Sequence, residues 1–439
     1  MKKILCAIAV ALAAMTALAG PALADGGICP RLAAQSPVNN PPDIDSVNGV
    51  IDIQMNYYTS VDDAGRTLFC FITSDGMESP TLHVNPGDTI KIKLTNQVPA
   101  TPGGKSQQML NGTTACGDTT MTDASVNMHF HGTNTSPKCH SDEVIHTLIN
   151  SGETFQYTLH IPKDEPPGLY WYHPHVHGTA SMMVQGGATG MIEVEGIANV
   201  QPAVAGLPER FIILRDQQFV ESPIQGSGLP AEPFWDTTIN YVPVSFPQYK
   251  TATITMQQGS QEFWRVVNAG ANTIMNLQVL YDGVPQPLQI VAFDGVPTGS
   301  KDGRHQGTIV TETNIFLVPS ARAEFIVAAP PSTVKKAQLV TLTIDGGPSS
   351  DVNPYRPFAT IQTSTAPQHL PVLAAPSRAI AKLRFDDLAN AKITATRSIA
   401  AASTPSGGGS SPRRCSSTAP RGKFARSKCS GRIRRFMRC

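Results

Sequence analysis

The chain has 439 residues with 36 glycines, 36 prolines and 8 cysteines, a length that allows two or three domains with separate cores. Its formal charge of +1 combines two unlike parts. Residues 398–439 carry ten lysines and arginines and no acid, so residues 1–397 hold 24 basic and 33 acidic side chains. The basicity therefore belongs to the tail alone, and the absence of any recognition motif argues against nucleic-acid binding by the tail.

Residues 1–24 have the order of a secretory signal peptide. Lys2 and Lys3 precede an apolar stretch at 4–18, and Ala-Leu-Ala at 22–24 supplies the small residues of a cleavage site. The apolar stretch is too short to span a membrane, and no later segment approaches about 20 apolar residues. We therefore expect a periplasmic or secreted protein without a membrane span.

The segments that follow have the pattern of β-sandwiches. Apolar runs are short, rich in β-branched residues and separated by turn signals, which argues against helical or βαβ domains. At 81–94, apolar and polar residues alternate on both sides of a Pro-Gly-Asp turn, which predicts two strands that each bury one face. A similar unit at 251–268 indicates a second, related domain.

These patterns predict an all-β chain. We expect β domains at 25–200 and 205–365, the remnant of a third at 375–397, and a disordered basic tail at 398–439. The tail has no period of 2 or 3.6 and few apolar side chains, so it is not expected to form a domain.

Two His-x-His pairs stand out among the 11 histidines, at His129-Phe130-His131 and His173-Pro174-His175. Residues i and i+2 of a strand point to the same side about 6 to 7 Å apart, so each pair can direct two imidazoles into one space. Four such ligands favour copper, zinc, iron or nickel, and the pattern alone leaves the metal undecided. The alternative is a structural or surface cluster of histidines.

Four cysteines are expected to pair, and two of them flank the first histidine pair. In an oxidising compartment Cys29, Cys70, Cys116 and Cys139 can form two disulfides, while Cys6 leaves with the signal peptide. The sequence does not fix their connectivity. A bridge between Cys116 and Cys139 would restrain the loop around the first histidine pair.

Residues 45–397 resemble the multicopper oxidases, and in particular the three-domain, laccase-like type of the bacterial periplasm. Asn-Met-His-Phe-His-Gly at 127–132 and Gly-Leu-Tyr-Trp-Tyr-His-Pro-His at 168–175 are similar to the first cupredoxin domain of that family. Phe-Trp-Arg-Val-Val-Asn at 263–268 and Pro-Ser-Ala-Arg-Ala-Glu-Phe at 319–325 are similar to its second domain. The resemblance implies tandem cupredoxin-like Greek-key β-sandwiches, two complete and a third only begun.

The resemblance also implies copper as the cofactor. His129 matches the type 2 copper ligand, and His131, His173 and His175 match type 3 ligands. Asp142 matches an acid that delivers protons to the oxygen being reduced, although a solvated loop aspartate fits the sequence equally well. Dioxygen and a one-electron donor, such as a phenol or a metal ion, are the implied partners.

The other candidate ligands are weaker. His177 fits either a partner of the ligands or an outward-facing residue, and Met182 and Met183 are better explained by packing than by copper contacts. Cys139-His140 lacks the compact Cys, His and Met loop of a type 1 copper site such as that of copper nitrite reductases. We interpret the remaining histidines as ordinary polar residues: His83, His140, His146, His160, His305 and His369.

The sequence lacks two motifs that an oxidase of this family needs, His-x-x-His-x-His and His-Cys-His. No histidine follows His369, and the cysteines at 415, 429 and 439 have no histidine beside them. In the family, the cysteine of the second motif forms the type 1 copper site that accepts electrons from the donor. We hypothesise a frame shift or an equivalent truncation near codons 398–405, which translation of the other two frames of the gene would test.

We therefore expect a copper-binding protein of the multicopper oxidase family that is inactive as an oxidase as it stands. Three alternatives remain at this stage. In the first, the missing ligands come from another chain. In the second, the protein is a non-enzymatic periplasmic copper or zinc binder. In the third, the product folds poorly because it exposes a face that is normally buried.

Overall fold

The computed structural model describes residues 27–104, 106–108, 116, 120–218, 233–300, 306–345 and 353–373. Strands dominate this part of the chain, so the all-β prediction is confirmed. No helix within these ranges is long and apolar enough to cross a membrane. The predicted signal peptide at 1–24, the remnant at 375–397 and the tail at 398–439 lie outside the described residues.

The first eleven strands form a β-sandwich and a small separate hairpin. One sheet has the order β1-β4-β11-β10-β8, the facing sheet has the order β3-β2-β5-β9, and β6 pairs with β7. The strands are β1 (Asp43–Asp45), β2 (Val50–Val61), β3 (Thr67–Thr73), β4 (Thr81–Val84), β5 (Thr89–Asn96), β6 (Ser106–Gln108), β7 (Thr120–Thr122), β8 (His129–His131), β9 (Thr154–His160), β10 (Gly168–His173) and β11 (Gly190–Val194).

The predicted unit at 81–94 forms β4 and β5, and these two strands belong to different sheets of the first sandwich. Gly87 takes a φ of +99° in the turn between them, a conformation that favours glycine. Buried and less buried residues alternate along β5 as predicted. All four residues of β4 are buried, contrary to prediction, because its second face is covered as well, with His83 packed edge-on against Phe211 of the second sandwich.

Two short helices, α1 (Ala180–Gln185) and α2 (Ile197–Val200), and a 3-10 helix at Pro202–Val204 lie near the end of the first sandwich. The second sandwich follows. Its strands are β12 (Glu209–Gln217), β13 (Asp236–Ile239), β14 (Val242–Pro243), β15 (Ala252–Gln257), β16 (Gln261–Asn268), β17 (Met275–Tyr281), β18 (Val284–Pro285), β19 (Leu288–Phe293), β20 (Val296–Pro297), β21 (Val310–Glu312), β22 (Ile315–Leu317), β23 (Arg322–Ala328), β24 (Ala337–Thr341) and β25 (Arg356–Ser364).

Two sheets enclose the core of the second sandwich. One runs β14-β13-β12-β16-β23-β19-β20 with β21 beside β19, and the other runs β15-β25-β24-β17-β18 with β22 beside β17. Trp264, Phe325 and Phe358 are completely buried between them. Burial of a large apolar side chain stabilises a fold by about 1.5–3 kcal/mol, so this core is a main source of stability for the sandwich.

The two sandwiches share a second, smaller apolar core and a buried ionic cluster. Leu169 and Trp171 of β10 pack with Phe211 and Ile213 of β12. Beside them, the fully buried Arg265 of β16 pairs with Glu193 of the first sandwich at 2.5 Å, and with Glu209 and Glu324 of the second at 2.8 and 2.9 Å. These contacts fix the five-stranded sheet of the first sandwich against the second sandwich.

Candidate metal centre

The predicted histidines meet at one end of the five-stranded sheet. His129 and His131 are the first and last residues of β8 and point to the same side. In the antiparallel pairing of β8 with β10, His173 lies opposite His129 and Trp171 lies opposite His131. Three imidazoles are therefore brought together by strand register alone.

His175 reaches the same place from a loop. His175 lies two residues beyond the end of β10, so only His173 of the second pair lies on a strand. This differs from the prediction that one strand carries both histidines of the pair. Its backbone N–H donates to Asn127 Oδ1 at 2.7 Å, and the Asn127 amide donates to the carbonyls of Val144 and Thr147. Asn127 therefore holds the His175 loop against the segment that follows β8.

His129 is the centre of the cluster. Its ring centroid lies 5.3 Å from that of His131, 5.3 Å from that of His173 and 5.1 Å from that of His175. The Nδ1 atom of His131 lies 3.3 Å from Nε2 of His173, and one ligand nitrogen from each of His129, His131 and His173 fits within 4.8 Å of the others. The four predicted side chains thus surround one small space.

The surroundings keep three of these imidazoles neutral. Burial, the nearby Arg322 guanidinium and the neighbouring histidines lower the pKa of His131 to about 3. Burial and the His129 ring hold the pKa of His173 well below its usual value, and they lower that of His175 in the same direction. A neutral imidazole keeps the lone pair that a metal ion needs, so burial prepares the cluster to bind one.

Hydrogen bonds fix which nitrogen faces the cluster. His173 Nδ1 donates to the carbonyl of Pro174 at 2.8 Å, and His129 Nδ1 donates to Asp142 Oδ1 at 2.9 Å. In both rings Nε2 remains as the ligand atom. A carboxylate or carbonyl on the far ring nitrogen is the arrangement that orients metal-binding histidines in other proteins.

Asp142 is tied to β8 twice, because the same Oδ1 also accepts the backbone N–H of Phe130 at 3.0 Å. Its side chain is only 12% exposed, so it is not a freely solvated loop residue. Its predicted role in proton delivery stays a prediction.

Two disulfides join the four cysteines expected to pair, Cys29 with Cys70 and Cys116 with Cys139. The second of these is the bridge that the sequence left open. It attaches the loop three residues before Asp142 to the segment that precedes β8, and so restrains the loop that orients His129.

Two residues that sequence reasoning missed form the wall of the cluster. Trp171 stacks on His173 with centroids 4.1 Å apart and lies 5.2 Å from His131. Arg322 of β23 passes over Gly132, whose φ is +86°, and a side chain at that position would collide with the guanidinium. Trp171 lies within the motif at 168–175, whereas nothing local in the sequence links Arg322 to a histidine 191 positions earlier.

The other histidines fall into two groups. His177 is exposed, in line with the outward-facing alternative, while His140, His146 and His160 make ordinary contacts with Phe155, Glu143 and Thr89. His369 is exposed, and His305 lies outside the described residues. Met183 is buried in the first core as predicted, but Met182 is 39% exposed, so packing does not explain it.

His83 is the exception, and its interpretation as an ordinary polar residue is wrong. It is 8% exposed on β4, with Nδ1 3.1 Å from Glu195 and 3.3 Å from Glu193, and Nε2 3.1 Å from Asp43. Burial lowers its pKa, but the three carboxylates outweigh burial and raise the pKa to about 12. In the sequence, the feature that could have indicated this cluster is the pair of acids on either side of Val194, at the end of an apolar strand.

Comparison with known proteins identifies the segment that carries the histidines. Residues 119–198 match the family model described as multicopper oxidase. Over this segment the chain is similar to the multicopper oxidases. All four predicted histidines and Asp142 lie within it.

Two curated relatives are also multicopper oxidases. The chain is 25% identical over 149 residues to the multicopper oxidase Mco of Staphylococcus haemolyticus, and equally to that of Staphylococcus epidermidis. The match covers 34% of this chain and 27% of each relative. The matched part is thus well under half of either multicopper oxidase.

Solved multicopper oxidases share the fold over a longer stretch. A variant of McoA from Aquifex aeolicus gives a TM-score of 0.56 at 16% identity, covering 80% of this chain and 70% of that one. The multicopper oxidase of Campylobacter jejuni, described as a metallo-oxidase, gives 0.51 at 19% identity, covering 82% and 68%. At these identities the likeness establishes the fold alone.

Copper is the cofactor that this family implies, and the donor set fits it. Four imidazoles converge, and His129 and His173 present Nε2 because their Nδ1 atoms are already hydrogen-bonded. Imidazole suits copper well, and copper(II) stands highest in the order of affinity for divalent first-row metals.

Proposed function

We propose that His129, His131, His173 and His175 bind copper as the N-terminal half of a multicopper oxidase cluster. The observation that carries the proposal is the convergence of four imidazoles, with His129 within 5.1–5.3 Å of each of the other three ring centroids. Strand register and two oriented ring nitrogens support a built site over a chance cluster of surface histidines.

The roles within this half-site follow the family pattern. His129 serves as the type 2 ligand, and His131, His173 and His175 serve as type 3 ligands. Copper held by these residues in a completed cluster would supply the one-electron chemistry for reduction of dioxygen to water. Asp142 holds the His129 ring through Nδ1, and its carboxylate is placed to pass a proton towards the cluster.

The proposal includes the loss of oxidase turnover by these 439 residues on their own. They contain neither the His-x-x-His-x-His nor the His-Cys-His motif, so they supply no type 1 site to accept electrons from a donor. Dioxygen and a one-electron donor are therefore proposed as partners only where the missing copper ligands complete the cluster. The two cupredoxin-like domains are assigned to 25–200 and 205–365.

We place this function outside the cytoplasm, in the periplasm or beyond it. The leader pattern at 1–24 supports export, and so do the disulfides Cys29–Cys70 and Cys116–Cys139, because such bonds persist in oxidising compartments.

Metal analysis of the purified full chain tests the proposal. After incubation with copper and removal of the excess, we expect bound copper without the intense blue absorption of a type 1 site, and no oxidation of a phenol. His129→Ala should lower copper affinity at least 100-fold, a loss we estimate as ~3 kcal/mol. His160→Ala, an exposed histidine of the same sandwich, is the matched control and should bind copper normally.

Blue colour with phenol oxidation would refute the inactivity, and equal copper binding by wild type and His129→Ala would refute the site. Zinc defines the alternative function. Since copper(II) outranks zinc for imidazole ligands, retention of zinc in the presence of equimolar copper would favour a zinc-binding protein.

A further inference from the structure

A second cluster of ligand-type side chains lies on the same five-stranded sheet, away from the histidines. His83 of β4 lies beside Glu193 of β11 in the parallel pairing of these strands, and β1 pairs with the other side of β4. Glu195 points to the same side as Glu193, two positions further on. Three neighbouring strands thus bring one imidazole and three carboxylates together.

The spacing of these groups suits a metal ion. His83 Nδ1 lies 3.3 Å from Glu193 Oε2 and 3.1 Å from Glu195 Oε1, and one ligand atom from each residue fits within 4.8 Å of the others. A tetrahedral ion with bonds of about 2.0–2.2 Å holds its ligand atoms roughly 3.3–3.6 Å apart. Only small movements would therefore be needed to bind one.

The second nitrogen of the His83 imidazole also has a carboxylate partner. Its Nε2 atom lies 3.1 Å from Asp43 Oδ1, so Asp43 can accept the Nε2 proton while Nδ1 serves as the ligand. A carboxylate on the outer ring nitrogen is the usual companion of a metal-binding histidine, since it fixes the tautomer and raises the basicity of the ligand.

Glu193 is the most deeply buried residue of this cluster. Its side chain is completely buried and neither carboxylate oxygen makes a well-directed hydrogen bond, although Oε1 lies 2.5 Å from Arg265 Nη2. Burial raises the pKa of Glu193 to about 8 even though Arg265 lowers it. Arg265 is itself shared with Glu209 and Glu324. A metal ion in place of the His83 proton would supply positive charge that keeps this buried carboxylate ionised.

The remaining carboxylates give the site an opening to solvent. The side chains of Asp43 and Glu195 are 38% and 34% exposed, while those of His83 and Glu193 are 9% and 0% exposed. Within the described residues, neither Asp43 nor Glu195 has an ion-pair partner other than His83. An ion could reach His83 from this side without disturbing Arg265.

We propose that His83, Glu193 and Glu195 form a binding site for a divalent first-row metal ion, Mn²⁺ or Zn²⁺, with Asp43 orienting the imidazole. One nitrogen with two carboxylate oxygens suits these ions better than copper, whose preferred ligands dominate the histidine cluster. The ion takes the place of the proton on Nδ1, so binding releases a proton. The site is separate from the proposed copper site, because Glu193 pairs with Leu169 at the start of β10, four residues or about 13 Å before His173.

Manganese is the probe that separates the two sites, because it binds imidazole most weakly of the first-row divalent ions and prefers oxygen ligands. Copper is first bound to the full chain, and Mn²⁺ is then titrated while the electron paramagnetic resonance signal of free Mn²⁺ is recorded. We expect one Mn²⁺ per chain, displaced by Zn²⁺. Glu195→Gln should weaken Mn²⁺ binding at least tenfold, while Glu312→Gln, an exposed strand glutamate of the second sandwich, should not change it.

Asp43→Asn gives a second test that removes no ligand and should weaken binding by about tenfold. On the copper-loaded protein, Zn²⁺ should raise the thermal midpoint of the wild type more than that of Glu195→Gln, a readout that separates lost binding from poor folding. Equal Mn²⁺ binding by wild type and Glu195→Gln, or none by the wild type, would leave His83 as a protonated partner in an ion-pair cluster and overturn the proposal. The comparison of these variants does not depend on copper binding.

Discussion

The two edges of the five-stranded sheet place buried histidines in opposite surroundings. At the β8 and β10 edge, burial, Arg322 and the neighbouring histidines lower the pKa of His131 to about 3. At the β1 and β4 edge, burial acts on His83 in the same direction, but three carboxylates reverse the effect and raise its pKa to about 12. The His131 imidazole is therefore neutral, whereas the His83 imidazole carries a proton.

This contrast shows that the neighbours of a buried histidine, and not burial alone, decide what the imidazole can do. Imidazoles grouped with one another and with an arginine keep their lone pairs and are ready to bind a soft or borderline metal. An imidazole among carboxylates is held as a cation, and only an ion of higher charge could take the place of its proton. The same sheet can therefore carry two sites with different metal preferences.

The largest effect is expected from Arg265→Ala, next to the β1 and β4 edge of the sheet, which we call the carboxylate edge. The β8 and β10 edge is called the histidine edge below. Removal of Arg265 leaves Glu193, Glu209 and Glu324 buried without their shared cation, which should lower the free energy of unfolding by about 3–5 kcal/mol. Chemical unfolding followed by circular dichroism measures the change. Arg66→Ala removes one ion pair with Asp62, whose carboxylate keeps the backbone N–H donors of residues 64 and 66, and should cost no more than about 1 kcal/mol. Equal effects of the two substitutions would show that the buried cluster does not hold the sandwiches together.

A smaller effect is expected at the histidine edge, from Cys116→Ser combined with Cys139→Ser. These cysteines are 23 positions apart, and loss of a bridge of this size should cost about 3 kcal/mol of stability and loosen the loop that carries Asp142. Thermal unfolding and a copper titration would both be needed. The matched pair, Cys29→Ser with Cys70→Ser, should lower the thermal midpoint but leave copper affinity unchanged. Copper affinity that is insensitive to both pairs would contradict the role given to the Cys116–Cys139 bridge.

Sequence patterns predicted one edge of the sheet far better than the other. His129 and His131 follow the period of a strand, and the family resemblance pointed to Asp142, so these residues could be found within a stretch of 14 positions. The carboxylate cluster could not, because Asp43, His83 and Glu193 come from three distant segments that meet only through parallel pairing. Tertiary packing also explains why β4 is buried on both faces when its pattern predicted one.

The smallest of the three effects, and the one most specific to the histidine edge, is expected from Asp142→Ala. Loss of the acceptor for His129 Nδ1 frees the ring to rotate or to change tautomer, which should weaken copper binding by about 10- to 100-fold, or about 1.4–2.7 kcal/mol. Competition titration with a copper chelator measures the change. Asp142→Asn keeps an oxygen acceptor without the charge and should bind copper more tightly than Asp142→Ala. If both variants are equally weakened, the charge of Asp142 matters and its orientation of His129 does not; if neither is weakened, the ring is positioned by packing against His173 and His175 alone.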